Sequence, residues 1–177
     1  MSQIPAVQAK TSYKATDYLA LALATWGVGY LPLIPGTFGS LVSVGLFLLL
    51  VQATGGVVRI AAVFASVVAL TFGGIWAAFR TEALAGRKDP SKIVVDEVAG
   101  QMLALLPLTF LTRNPPLLVV MVSFILFRFF DIVKPYPCAQ LERLKGGYGV
   151  MCDDIVAGVY AAVVTSVIVA IPGNPIY

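Results

Sequence analysis

The 177-residue chain contains no histidine. That absence excludes the imidazole-based zinc sites, a Ser-His-Asp triad and any phosphohistidine intermediate. Charge is almost as scarce. With 12% charged and 59% hydrophobic residues and a mean hydropathy of +0.90, there is too little polar surface to coat a soluble globule, so the chain reads as an integral membrane protein. The two cysteines, Cys138 and Cys152, form no CxxC and fall near the expected cytoplasmic face, where thiols stay reduced, so no structural disulfide is expected. No GxGxxG and no Walker loop ending in Lys-Ser or Lys-Thr is present, which removes the usual cues for nucleotide binding. Cys138 and Arg143 are separated by four residues, one short of a Cys-x5-Arg phosphatase loop. The net charge of +3 is small and the basic residues do not form a run, so nucleic acid is not an expected partner and anionic lipid is the more natural one.

What is present is organised by hydrophobic runs. Residues 1–17 are polar and read as an N-terminal tail, with no cleavable signal. Residues 18–177 read as a single membrane-embedded domain. The stretch at 18–31 is apolar but short, which favours a re-entrant or interfacial helix, ended by Pro32 and Pro35. Five longer runs follow, at 37–55, 57–79, 93–112, 117–133 and 153–171. The expected fold class is therefore all-α: a polytopic membrane helical bundle of about five transmembrane helices plus the short N-terminal helix.

Five carboxylates lie within these runs: Asp96 and Glu97, Asp131, and Asp153 with Asp154. Carboxylates at membrane depth are costly unless paired, wetted or bound to a cation, so they are read first as a functional site. A concentrated set of oxygen ligands suits Mg²⁺. With the N-terminus in the cytoplasm and five crossings, Lys10, Lys14, Arg80, Arg87, Lys88, Lys92, Lys134, Arg143 and Lys145 lie inside, while Arg59 and Arg113 lie outside. The positive-inside rule supports that orientation, and the same threading brings all five carboxylates to the cytoplasmic face. Acids spread through the bilayer, or helices broken at its midplane, would instead have suggested a small ion-coupled transporter.

Two glycine-rich stretches join them. Gly36, Thr37, Gly39 and Ser40 open the first long run, and Gly146, Gly147 and Gly149 precede the last. Free N–H groups at a helix start attract anions, so both are candidate phosphate cradles; equally, these glycines can serve only tight turns and close packing. Arg128 and Lys134 flank Asp131 at three-residue spacing, so all three can share a helix face. Arg128 is expected to pair with an acid or to contact phosphate, and Lys134, before the breaker Pro135-Tyr136-Pro137, to reach a substrate. Adjacent acids point about 100 degrees apart on a helix, so one member of each pair is free to face a metal while the other bonds elsewhere.

The segments IPGTFGS, IVVDEVAG, FRFFDIVKPYP and GGYGVMCDDIVAG, in that order, resemble the signature segments of the phosphatidylglycerophosphatase A family over residues 27 to 170. The resemblance implies an Mg²⁺-dependent phosphatase of the bacterial inner membrane that converts phosphatidylglycerophosphate to phosphatidylglycerol. It carries over to Thr37, Asp131 and Lys134 as catalytic residues and to Asp96, Glu97, Asp131, Asp153 and Asp154 as metal ligands. Gly36, Gly39, Ser40, Arg128, Gly146 and Gly147 are the residues expected around the substrate. Direct attack by water is favoured over a covalent intermediate on Thr37, which has no adjacent activating base other than Lys134 or a metal. Another lipid phosphate, such as phosphatidic acid, is the alternative substrate. A CDP-alcohol phosphatidyltransferase is set aside because its Asp-x-x-Asp-Gly-x-x-Ala-Arg signature is missing.

Overall fold

The computed structural model describes residues 13–86, 90–111 and 113–171; Lys10, Arg87 and Lys88 of the charge count above, and the polar tail up to residue 12, lie outside them. Among the described residues the chain is helical, without strands, in the order α1 (Ala15–Thr25), α2 (Pro35–Ala53), α3 (Gly56–Ala85), α4 (Val95–Leu105), α5 (Leu117–Val133), α6 (Cys138–Leu141) and α7 (Gly147–Ala170). Three of these, α2, α3 and α7, are long and apolar enough to cross a membrane.

The other two expected crossings are shorter. Pro107, with no N–H to donate, interrupts the expected run 93–112, so α4 gives way to a 3₁₀ segment, Leu106–Phe110. Helix α5 matches the expected 117–133, but its 17 residues make about 26 Å of helix against a hydrocarbon core of about 30 Å. Two boundaries also move. Helix α3 continues past 79 to Ala85, where Gly86 closes it with φ 64°. Helix α7 starts at Gly147 instead of 153, so Asp153 and Asp154 sit in its second turn.

Helix α1 is short, as an interfacial helix should be, but it begins inside the stretch expected to be tail. The Asp17 carboxylate accepts the Lys14 backbone N–H at 2.9 Å and then pairs with Arg80 of α3 at 2.6 Å, fixing the first turn to the bundle. These two donors hold the Asp17 carboxyl below its ordinary range.

Helix α4 is the centre. It packs against α2, α3, α5 and α7, and Val95, Val98, Ala99, Met102 and Leu105 are fully buried on it. Large apolar side chains point the other way, outward, including Phe72 at 70% and Ile125 at 61% exposure. Lipid tails are as apolar as leucine, so what brings such helices together is close approach of small residues, not burial of large ones. Gly100 of α4 and Gly158 of α7 are that contact: a methyl group on Gly158 would meet the Gly100 carbonyl oxygen and lie 3.1 Å from its Cα. At the far end Arg59 is buried and closes α2, donating to the carbonyls of Val51 and Thr54 at 3.4 Å and to Asn114 Oδ1 at 2.8 Å.

Candidate active site

The glycine contact explains how the acids meet. Asp96-Glu97-Val98-Ala99-Gly100 and Asp154-Ile155-Val156-Ala157-Gly158 repeat the pattern Asp-x-Val-Ala-Gly on two helices that both start at the same end of the bundle. Gly100 and Gly158 touch, and the residue one turn earlier on each helix is an aspartate, so the packing brings Asp96 to Asp154. With Glu97 they form a group whose carboxylate oxygens lie within 4.8 Å of one another. Glu97 Oε2 and Asp153 Oδ1 are buried without a hydrogen-bond partner among the described residues.

These carboxylates line a cavity of about 460 Å³ together with Asp131, Lys134, Glu142, Ser91 and Pro35. Arg128 pairs with Asp131 at 2.8 Å and its guanidinium also reaches Ser40 Oγ at 3.4 Å, while Ser40 donates to the Gly36 carbonyl at 3.1 Å. Arg128 therefore braces Asp131 against Ser40 in the second turn of α2. Lys134 ends α5 in a left-handed conformation, φ 46°, which is strained for a residue with a Cβ and turns its side chain toward α7. There it bonds Asp153 at 2.8 Å and Glu142 at 3.0 Å. Partial burial works against the charge, but the two carboxylate hydrogen bonds outweigh it and hold the ammonium above the ordinary lysine range. Cys138 and Cys152 are both free thiols.

Of the residues singled out in the sequence, Asp96, Glu97, Asp131, Lys134, Asp153 and Asp154 all reach one cavity. The pair rule holds for Asp153 and Asp154, one on Lys134 and one in the carboxylate group, but Asp96 and Glu97 both join that group. The glycines divide. Gly36 and Gly39 lie where α2 meets α4: a Cβ on Gly36 would strike the Glu97 carboxylate, and one on Gly39 would lie 2.9 Å from the Val94 carbonyl. Gly146 and Gly147 pack against Phe79 of α3 and away from the cavity, whose wall takes Gly149 instead. Thr37, half-buried in the first turn of α2, does not line the cavity, where α2 contributes Pro35.

Two residues escaped the sequence reading. Glu142 looks like any loop acid until the 134–149 segment folds back and sets it on Lys134. Gln101 is fully buried one turn beyond Glu97, with neither amide atom partnered among the described residues. A lone amide in the apolar run VAGQMLAL was the available signal for it.

Among the described residues, six carboxylates on the cavity wall face only Lys134 there, with Arg128 behind Asp131. Such an excess of negative charge repels an anionic substrate unless a cation joins the site, and an all-oxygen donor set without histidine or cysteine fits a hard divalent cation such as Mg²⁺. Asp96, Glu97 and Asp154 are the residues that fit such an ion. An acid-lined cavity of this kind, at one end of an outwardly apolar helical bundle, fits an enzyme that works on a phosphate at a membrane.

The chain belongs to the phosphatidylglycerophosphatase A family: the sequence model of that family matches residues 21–169. The chain is 35% identical to the phosphatidylglycerophosphatase A of Haemophilus influenzae over 140 residues, 78% of this chain and 81% of that protein. It is 30% identical to the Escherichia coli protein of the same name over 155 residues, 87% of this chain and 85% of the relative. A Bacteroides thetaiotaomicron protein named "Putative phosphatidylinositol-3-phosphatase" is 39% identical over 155 residues, 87% of this chain and 96% of that protein. No solved structure matches the chain.

Proposed function

We propose that the protein hydrolyses phosphatidylglycerophosphate to phosphatidylglycerol at the cytoplasmic face of a bacterial inner membrane, with Mg²⁺ held by Asp96, Glu97 and Asp154. The observation that carries this reading is the convergence of three carboxylates from α4 and α7 within 4.8 Å inside one cavity. Five crossings, with α4 plus its 3₁₀ extension and α5 as the two short ones, keep the N-terminus and the cavity on the basic side of the chain.

In hydrolysis the water oxygen forms a bond to phosphorus as the bond from phosphorus to the glycerol oxygen breaks. The water proton passes to a wall carboxylate, and the departing alcohol takes up a proton. When bound, Mg²⁺ neutralises phosphoryl oxygens and orients the water. Asp131, held by Arg128, is positioned as the general base. Lys134 keeps its positive charge at neutral pH and lines the same cavity, where it can pair with the phosphate. Thr37 stands outside the cavity wall, which favours direct attack by water over a covalent intermediate.

The relationship to the Bacteroides protein favours a second reading of the same chemistry, in which the phosphate monoester sits on an inositol headgroup. Phosphate release by the purified protein from phosphatidylglycerophosphate, phosphatidylinositol 3-phosphate, phosphatidic acid and glycerol 3-phosphate in mixed micelles separates them. The proposal expects the highest kcat/KM for phosphatidylglycerophosphate. Preference for the inositol lipid selects the second reading, and equal use of glycerol 3-phosphate contradicts both.

A further inference from the structure

A second cavity lies at the same end of the bundle, on the other side of the segment that enters α4. It encloses about 240 Å³ between α1, the last turns of α3 and residues 90–92, and is lined by Thr25, Tyr30, Thr81, Leu84 and Lys92 among others. Along this segment the side chains alternate: Ser91 and Ile93 line the carboxylate cavity, while Pro90 and Lys92 line the second one. Thr81 is 97% buried by its 3% exposure, yet its hydroxyl has no partner among the described residues. The Lys92 ammonium stands over the Tyr30 ring, 4.7 Å from its centroid, with no carboxylate ion pair among the described residues. A buried hydroxyl donor, a cation on an aromatic face and an apolar wall from Leu21 and Leu84 make a built receptor for an anion that carries hydrocarbon.

Its depth fits that ligand. Helix α3 has 30 residues, about 45 Å, against a hydrocarbon core of about 30 Å. Counted from Arg59 at the far end of the bundle, about 20 residues cross that core, so the last turns, with Thr81, Leu84 and Ala85, emerge among the headgroups. The cavity is also tied to the start of α4: Val94 donates its N–H to the Ala24 carbonyl at 2.9 Å, and Gly29 packs so closely on the Lys92 carbonyl that a Cβ there would clash.

We infer that this cavity binds the phosphodiester headgroup of an anionic phospholipid, with Lys92 and Thr81 holding the phosphate and Leu21 and Leu84 meeting the acyl chains. The bound lipid braces residues 90–94 and, through them, the first turn of α4. This site is separate from the one that holds the substrate, and its test does not depend on the enzyme's activity.

The experiment is native mass spectrometry of the delipidated full-length protein titrated with dioleoylphosphatidylserine, which carries no phosphate monoester, with dioleoylphosphatidylcholine as the zwitterionic control and inorganic phosphate as competitor. Wild type is expected to retain phosphatidylserine over phosphatidylcholine. Lys92→Gln should weaken phosphatidylserine binding about fivefold, the equivalent of about 1 kcal/mol for one basic residue at the headgroups. Lys92→Arg should restore it, and Thr81→Val should weaken it further in combination with Lys92→Gln. Phosphatidylserine should also raise the melting temperature of wild type and not of Lys92→Gln. Equal retention by wild type and Lys92→Gln would overturn the site, and displacement of phosphatidylserine by inorganic phosphate would overturn its assignment to a lipid.

Discussion

Replacing Gly158 by alanine tests whether helix packing, and not the acids alone, makes the active site. The added methyl group would meet backbone on α4, the Gly100 carbonyl and a Cα at 3.1 Å, and backbone cannot rotate aside as a side chain can. Helices α4 and α7 must separate, and Asp154 moves with its helix away from Asp96 and Glu97. Overpacking of this kind costs about 1–3 kcal/mol, and the better helix propensity of alanine returns about 1 kcal/mol, leaving a net loss of about 0–2 kcal/mol. Catalysis should suffer far more, because a displacement of about 1 Å in a catalytic constellation costs on the order of 100-fold. Gly45→Ala on α2 is the control, since a Cβ there meets nothing within 4 Å. It should gain up to about 1 kcal/mol and keep full turnover. Melting temperatures in detergent and phosphate release from phosphatidylglycerophosphate report the two quantities. Near wild-type turnover in Gly158→Ala, with its melting temperature lowered, would refute the link between the glycine contact and the acid cluster.

Three further outcomes follow from single contacts. The Asp17 carboxyl is held below its ordinary value of 3.8 by the Lys14 N–H and Arg80, so its contribution to stability is complete above 3.8 and is lost as pH falls through the folded-state value. The melting temperature of Asp17→Asn should thus lie below wild type at neutral pH, with the gap closing in acid, and a gap that persists below that range would contradict the assignment. Arg59→Met leaves the last carbonyls of α2 and Asn114 without their buried donor, and a loss of about 2–4 kcal/mol in denaturant stability is expected with turnover per folded molecule unchanged. Lys134→Met should lower kcat on the order of 100-fold and leave Asp153 without the cation that pairs it, whereas Glu142→Gln, which removes only the exposed partner, should change kcat by less than about tenfold.

The membrane character and the acids that line the cavity were legible in the sequence because each is a local signal: long apolar runs, and carboxylates that have no ordinary reason to stand within them. Packing was not legible. The pattern Asp-x-Val-Ala-Gly occurs twice in plain view, but only the contact between Gly100 and Gly158 shows that the repeat aligns two helices side by side. The same limit applies to Gly36 and Gly146, whose composition suits a phosphate cradle as well as a close helix contact, and whose surroundings are Glu97 and Phe79. Helix ends were displaced where a tertiary bond competed with local composition, as when Asp17 and Arg80 drew the polar residues before 18 into α1. Pro107 stands inside the apolar run 93–112, whose length and composition suit one crossing, and the break it makes there comes from its missing N–H, which hydropathy does not register.

The central claim is that Asp96, Glu97 and Asp154 hold the Mg²⁺ that makes phosphate hydrolysis possible. It is tested most directly by initial rates of phosphate release from phosphatidylglycerophosphate as a function of free Mg²⁺, for wild type and Asp154→Asn in the same micelles. Wild type should be inactive in EDTA and saturate with Mg²⁺, while Asp154→Asn should need more Mg²⁺ and reach a kcat lower on the order of 100-fold. Full turnover of wild type in EDTA, or an Asp154→Asn enzyme with the wild-type Mg²⁺ dependence and rate, would contradict the account.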